Sequence, residues 1–242
     1  MENRIIKIAS RESQLAMVQA RSIQSLIGGE IVGITSEGDI NLQSALYSMP
    51  NVGVFTKQLE IELLENRADI AVHCLKDMPT TTIQGLFIAA IIKTDTPRCD
   101  IALLKQGINS IEELPNQSII GTSSLRRIAS LNFLYKHKEF TFKNIRGNLN
   151  TRMNKLNNGE YDCIILAAAG IHRLQLEKTL NIQYLSEEEF LYAPGQAALA
   201  IECRENAREL VDYLSQFDDR ETRLRCEAER SFMKDLEGVW FI

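Results

Sequence analysis

Short apolar runs alternate along this chain with segments of helical periodicity, and that alternation restricts the fold more than any other feature. Residues 5–9 precede a stretch from about Ser13 in which Ala16, Ala20, Ile23 and Ile27 recur at helical spacing, and Gly28-Gly29 stops it. Residues 31–35 form a second strand, followed by a polar turn at Glu37-Gly38-Asp39, a loop through Pro50 and Gly53, and a helix carrying Leu59 and Leu63. Residues 68–74 and 87–92 are further strands. Beyond the polar segment 94–98, which reads as a crossing between domains, the alternation restarts: strand 118–121, helix 125–135, strand 141–145, helix 149–156. Residues 163–169 are apolar throughout, as expected of a strand buried on both faces of a parallel sheet. The loop Tyr192-Ala193-Pro194-Gly195-Gln196 leads to another buried run, 197–203. A final helix covers about residues 219–236, with Leu224, Ala228 and Phe232 on one stripe and Gly238 as its C-cap. The prediction is an α/β protein with mainly parallel sheets, whose ligands sit beyond the carboxyl ends of the strands.

Four of those strand ends carry charged groups. GTSSLRR at 121–127 and IRGNLNTR at 145–152 place paired arginines where a strand hands over to a helix. Such junctions expose unpaired N–H groups at the positive end of a helix, and arginine adds charge with bidentate geometry. ASRES at 9–13 carries Arg11 and Ser13; HCLKD at 73–77 sets Lys76 beside Asp77. A site with many cations and one conspicuous carboxylate fits a polyanionic ligand whose chemistry needs proton movement and support of developing positive charge.

The net charge of −5 makes these basic residues local features of a mildly acidic chain, and argues against a nucleic-acid-binding face. Neither a secretory signal nor a membrane-length apolar run is apparent, so a cytoplasmic protein without membrane contact is expected. The five cysteines are scattered, and the three histidines are dispersed, so neither a disulfide framework nor a metal site is expected. No nucleotide-binding fingerprint or nucleophile elbow is present.

Together with AVHCLKDMPT at 71–80, GEYDCIILAAAGIHR at 159–173 and AERSFMKDLEG at 228–238, these motifs run in order along essentially the whole chain. The chain resembles the porphobilinogen deaminase (hydroxymethylbilane synthase) family. That resemblance implies a transferase of tetrapyrrole and haem biosynthesis that condenses porphobilinogen head to tail into hydroxymethylbilane, releasing ammonia at each step. It implies two domains like those of type II periplasmic binding proteins with a cleft between them, residues 1–94 and 193–216 forming domain 1 and 95–192 domain 2. Residues 217–242 would be the stub of a small α+β third domain. Asp77 matches the catalytic aspartate, which hydrogen-bonds pyrrole N–H groups and supports the cationic species left by deamination. Lys76, Ser123, Ser124, Arg126 and Arg127 match residues around the dipyrromethane cofactor. Arg11, Ser13, Lys57, Arg146, Arg152, Arg173 and Gln196 match contacts to porphobilinogen and the growing oligopyrrole chain. Members of the family are usually monomeric.

The sequence departs from the family pattern at its end. There Leu-Glu-Gly is followed by Gly-Cys, and that cysteine bears dipyrromethane through a thioether; here Leu236-Glu237-Gly238 is followed by Val239-Trp240-Phe241-Ile242. The expectation is a C-terminally truncated member that holds no covalent dipyrromethane, has little deaminase activity, and self-associates through an uncovered final-helix stripe. Two smaller departures are Val52, where many relatives have lysine, and Ala197, where glycine is usual. The competing expectation is a non-catalytic module of the same fold that binds a small carboxylate.

Overall fold

The computed structural model describes residues 5–35, 53 and 55–236. The predicted turn at Glu37-Gly38-Asp39, Pro50, Val52 and the ending from Gly238 to Ile242 lie outside the described residues. Two compact units result, one from residues 5–35, 53, 55–95 and 197–236, the other from 96–196.

The first unit is built on β1 (Lys7–Arg11), β2 (Glu30–Ile34), β3 (Ile70–Cys74), β4 (Leu86–Ile92) and β10 (Leu199–Arg204), in the order β2-β1-β3-β10-β4. β1 is parallel to β2 and β3, whereas β10 is antiparallel to β3 and β4. The second unit repeats the plan with β5 (Asp100–Leu104), β6 (Ile119–Gly121), β7 (Thr141–Lys143), β8 (Cys163–Ala167) and β9 (Ile182–Tyr184), in the order β7-β6-β8-β5-β9. β6 is parallel to β7 and β8, and β5 is antiparallel to β8 and β9. The sheets are thus mixed rather than mainly parallel. The reversed strands, β5 and β10, each follow a crossing of the chain and start at the carboxyl edge: Asp100 pairs with Ala167, the last residue of β8, and Leu199 with Cys74, the last of β3.

Both faces of each sheet are covered. In the first unit Ile8, Ile70, Val72 and Ile201 pack with Ile23 of α1 (Gln14–Ile27) and Leu210 and Leu214 of α6 (Arg208–Ser215). Ala71 meets Leu59 and Leu63 of α2 (Lys57–Leu64) on the other face. Along β8, Ile164 and Leu166 enter one core while Cys163 and Ile165 enter the other, which is why that run is apolar at every position. The remaining helices of the second unit are α3 (Leu125–Leu134), α4 (Leu149–Asn157) and α5 (Ala168–Arg173). The apolar run read as a strand to residue 169 therefore changes at Ala168, where Ala-Ala-Gly begins the helix that carries Arg173.

The final helix, α7 (Arg220–Asp235), packs in the first unit with its cap supplied by Asp219, whose Oδ1 accepts from the Thr222 N–H at 2.9 Å. It buries Thr222, Cys226 and Met233, leaving Leu224 57% and Phe232 67% exposed. Leu224→Ser and Phe232→Ser are accordingly expected to lie within about 0.5 kcal/mol of the parent chain, as surface substitutions do. Denaturant midpoints check this; a loss near 2 kcal/mol would show a covered stripe.

Candidate functional site

In the first unit, β1, β2 and β3 end on one edge. β1 ends at Arg11, and Ser13 caps α1, its Oγ accepting from the Ala16 N–H at 3.4 Å. The Arg11 guanidinium lies 4.2 Å from the ring centroid of Phe55, just ahead of α2, whose first residue Lys57 is exposed. β3 passes into a single 3-10 turn, Leu75–Asp77, which leaves Lys76 and Asp77 half-buried at the edge. Two contacts fix that turn. The Leu75 N–H donates to the Ala198 carbonyl at 3.0 Å, and Arg230 of α7 donates to the carbonyls of Leu75, Met78 and Pro79 at 3.5, 3.2 and 2.5 Å. Burial pushes the Arg230 guanidinium below its ordinary value. A desolvated arginine spent on backbone carbonyls is a brace for the aspartate turn.

In the second unit β6 and β7 are parallel neighbours, so GTSSLRR and IRGNLNTR leave the sheet side by side. Ser123 joins them, its Oγ donating to the Ile145 carbonyl and accepting from the Ile145 N–H, both at 3.1 Å. Ser124 caps α3 by accepting from the Arg127 N–H at 3.4 Å, and Asn148 caps α4 by accepting from the Thr151 N–H at 3.0 Å. Arg146 is buried, which alone pushes its guanidinium below the ordinary value. Arg152 Nε donates to the Gly147 carbonyl at 2.8 Å. Arg173, ending α5, follows β8, which runs parallel to β6 and so delivers it to the same edge.

Asp100, the first residue of β5, is the group that the sequence reading missed. It is fully buried. Its Oδ1 accepts from Arg127 Nη2 at 2.6 Å and Gln196 Nε2 at 3.0 Å; its Oδ2 accepts from Arg126 Nη2 at 2.8 Å and Arg127 Nε at 3.0 Å. Gln196 also donates to the Arg98 carbonyl at 2.6 Å, and Arg127 Nη1 to the Ile165 carbonyl at 2.9 Å. Burial lowers the Arg126 pKa; Asp100 opposes that shift and Arg127 reinforces it. Next in the chain, Ala197 has φ 69°, a left-handed conformation that costs a residue with a Cβ about 1–2 kcal/mol.

The structure therefore gathers Arg11, Ser13, Lys76 and Asp77 at the edge of one unit, with Lys57 following Phe55 there. It gathers Ser123, Ser124, Arg126, Arg127, Arg146, Arg152, Arg173 and Gln196 at the edge of the other. Cys163 and Cys203 have no exposed surface, and burial raises both thiols, that of Cys203 to about 12. Cys226 is equally covered and also raised by burial. None is available as a thiolate at neutral pH. Among the described residues no helix is long and apolar enough to cross a membrane, and no cluster of three or more His, Cys, Asp or Glu could hold a metal ion.

Among solved structures, the chain is similar to the probable amino-acid ABC transporter extracellular-binding protein ytmK of Bacillus subtilis, with a TM-score of 0.48 and 15% identity over 96% of this chain and 97% of that one. A family model described as "Porphobilinogen deaminase, dipyromethane cofactor binding domain" matches residues 6–212. The chain is 44% identical over 241 residues to the porphobilinogen deaminase of Prochlorococcus marinus subsp. pastoris, covering 96% of this chain and 75% of that protein. It is 44% identical over 244 residues to the one of Nostoc sp. strain PCC 7120, covering 97% and 74%. With the family's motifs set in order along the carboxyl edges of both sheets, and relatives at this level of identity along nearly its whole length, the chain belongs to the porphobilinogen deaminase family.

Proposed function

We propose that this chain binds porphobilinogen and short oligopyrroles, and that it is a transferase by descent, built to join porphobilinogen units into hydroxymethylbilane with loss of ammonia in a cytoplasmic tetrapyrrole pathway. The observation that carries this reading is Asp77, a carboxylate held by a braced turn at an edge otherwise supplied with Arg11 and Lys76. A ligand bearing acetate and propionate groups is served by the cations. Its pyrrole N–H and departing amine are served by the aspartate, as a hydrogen-bond acceptor and as a charge opposite the cation that forms.

Dipyrromethane, when bound, supplies the primer onto which pyrroles are added. The second unit suits its acid side chains. Cations and the capped start of α3 surround a buried Arg126 Nε that has no hydrogen-bond partner among the described residues. Ser123, Ser124 and Arg126 would hold those acids. The attachment is another matter: Val239-Trp240 replaces the family's Gly-Cys, Cys99, Cys163, Cys203 and Cys226 are buried, and the partly exposed Cys74 does not stand at the anchor position. We therefore assign this chain non-covalent binding without sustained turnover. Intact-mass spectrometry after incubation with porphobilinogen, together with an ammonia assay, is expected to show the bare chain mass and no steady release. A mass increased by a dipyrromethane, or continuing bilane production, sinks that assignment. The domain division proposed is residues 1–94 and 193–216, then 95–192, with 217–242 belonging to a third domain.

The second reading, a generic small-carboxylate binder, is separated by sign. Asp77→Ala is expected to weaken porphobilinogen binding by about 10–100-fold, the worth of a hydrogen bond to a charged group. A simple anion binder gains affinity when a negative charge leaves its site. Calorimetric titration distinguishes the two.

A further inference from the structure

The arginine pair of α3 looks from the sequence like two equal cations, and the geometry does not treat them equally. We infer that Asp100 is a positioning residue that commits Arg127 to bracing the protein and leaves Arg126 as the one guanidinium of the pair that meets a ligand carboxylate. This rests on the reading of a carboxylate-bearing pyrrole as ligand.

Arg127 uses both nitrogens of one side of its fork on the two Asp100 oxygens, at 2.6 and 3.0 Å, and its remaining Nη1 on the Ile165 carbonyl in the middle of β8. Every nitrogen of that guanidinium is engaged within the protein. Arg126 shares only Nη2 with Asp100; Nη1 donates to the Leu191 carbonyl, and Nε is the buried donor without a partner among the described residues. Its side chain is 9% exposed and that of Asp100 is 0% exposed.

Charge points the same way. Two guanidiniums face one carboxylate whose oxygens already accept four hydrogen bonds from Arg126, Arg127 and Gln196. Counted over Arg126, Arg127 and Asp100, two guanidiniums share one carboxylate, so the trio carries a net positive charge in a desolvated place, which favours an anion there. The pair therefore counts as one cationic site and takes one carboxylate, not two. A ligand with further acid groups must meet them at other residues, of which Arg146 and Arg152 are the neighbours one strand over. Asp100 exerts its effect through Arg126, by fixing the plane of its fork.

The test uses Arg126→Gln, Arg127→Gln, Asp100→Asn and Asp100→Glu in the full chain, followed by thermal melting, titration with porphobilinogen, and NMR of the arginine Nε–H groups. Arg127→Gln and Asp100→Asn each break a buried pair and are expected to lower Tm by roughly 6–20 °C. Arg126→Gln should show less than half that drop yet bind porphobilinogen about 10–100-fold more weakly. Porphobilinogen should move the Arg126 Nε–H resonance and leave that of Arg127 in place. Asp100→Asn should shift the Arg126 signal before any ligand is added, with Asp100→Glu restoring part of it. The inference is overturned if Arg126→Gln melts as low as Arg127→Gln, if the Arg127 resonance is the one that responds, or if Asp100→Asn leaves both affinity and the Arg126 signal unchanged. A parent chain that does not bind porphobilinogen removes the functional reading alone; the melting comparison and the ligand-free spectra then still decide the division of roles.

Discussion

Replacing Gly147 with alanine is expected to destabilise the protein by about 2–4 kcal/mol and to weaken porphobilinogen binding with it. Gly147 has φ +108°, a region that residues with a Cβ enter at a cost of about 1–3 kcal/mol. Space adds to the strain, because a Cβ there would stand 2.7 Å from Thr151 Cγ2 and 2.8 Å from Thr151 Cβ. Thr151 is poorly placed to yield. Its N–H and Oγ1 both donate to Asn148 Oδ1 at 3.0 Å, so moving it opens the cap of α4. The functional coupling follows from the neighbours: Arg146 immediately precedes Gly147, and Arg152 donates to the Gly147 carbonyl. Denaturant unfolding and a porphobilinogen titration of Gly147→Ala measure both effects. Adding Thr151→Ala removes the Cγ2 contact and keeps the Cβ contact at 2.8 Å, so it should recover only a fraction of the steric cost and none of the conformational part. A Gly147→Ala chain as stable as its parent would mean that the loop has another conformation.

What was legible in the sequence is what local chemistry determines. Ser13, Ser124 and Asp219 read as helix starts because each offers an oxygen to an N–H three residues on, and each does so in the fold. The strand-end motifs were legible as a group because parallel strands carry their following loops to one edge. Strand direction was not, since β5 and β10 have the same apolar patterns whichever way they run. Asp100 illustrates the harder case. It heads a five-residue apolar strand, and its partners lie 26 and 27 positions away, so nothing local marks it as a buried counter-charge. Arg230 is similar, read as part of a motif but bracing a turn about 150 residues distant. The α7 stripe is uncovered, as the sequence led one to expect. Leu224, Ala228 and Phe232 keep perfect helical spacing, yet the helix packs through Cys226 and Met233, with Arg223 and Arg230 reaching backbone carbonyls of the first unit. Periodicity reports that a face is apolar, not that it is covered.

Glu60→Gln is expected to stabilise the protein by about 2 kcal/mol at pH 8 and by nothing at pH 4. Glu60 of α2 is buried against the sheet, facing Glu202 of β10 and His73 of β3, which are themselves buried and joined at 3.1 Å. Burial raises its carboxyl pKa above the ordinary value and the Glu202 carboxylate adds to the rise, while the Thr56 hydroxyl and His73 oppose it. The folded chain thus holds this proton to a higher pH than the unfolded chain does. Stability from the neutral carboxyl is fully present below the ordinary carboxylate range and is lost as pH rises through the raised value. Glutamine keeps an amide of nearly the same shape and never ionises, so the penalty disappears. Urea midpoints of both chains between pH 4 and 8 give a difference curve that isolates Glu60 from every other titrating group. It should start near zero and climb with pH. A flat curve would show that Glu60 does not hold its proton above the ordinary carboxylate range.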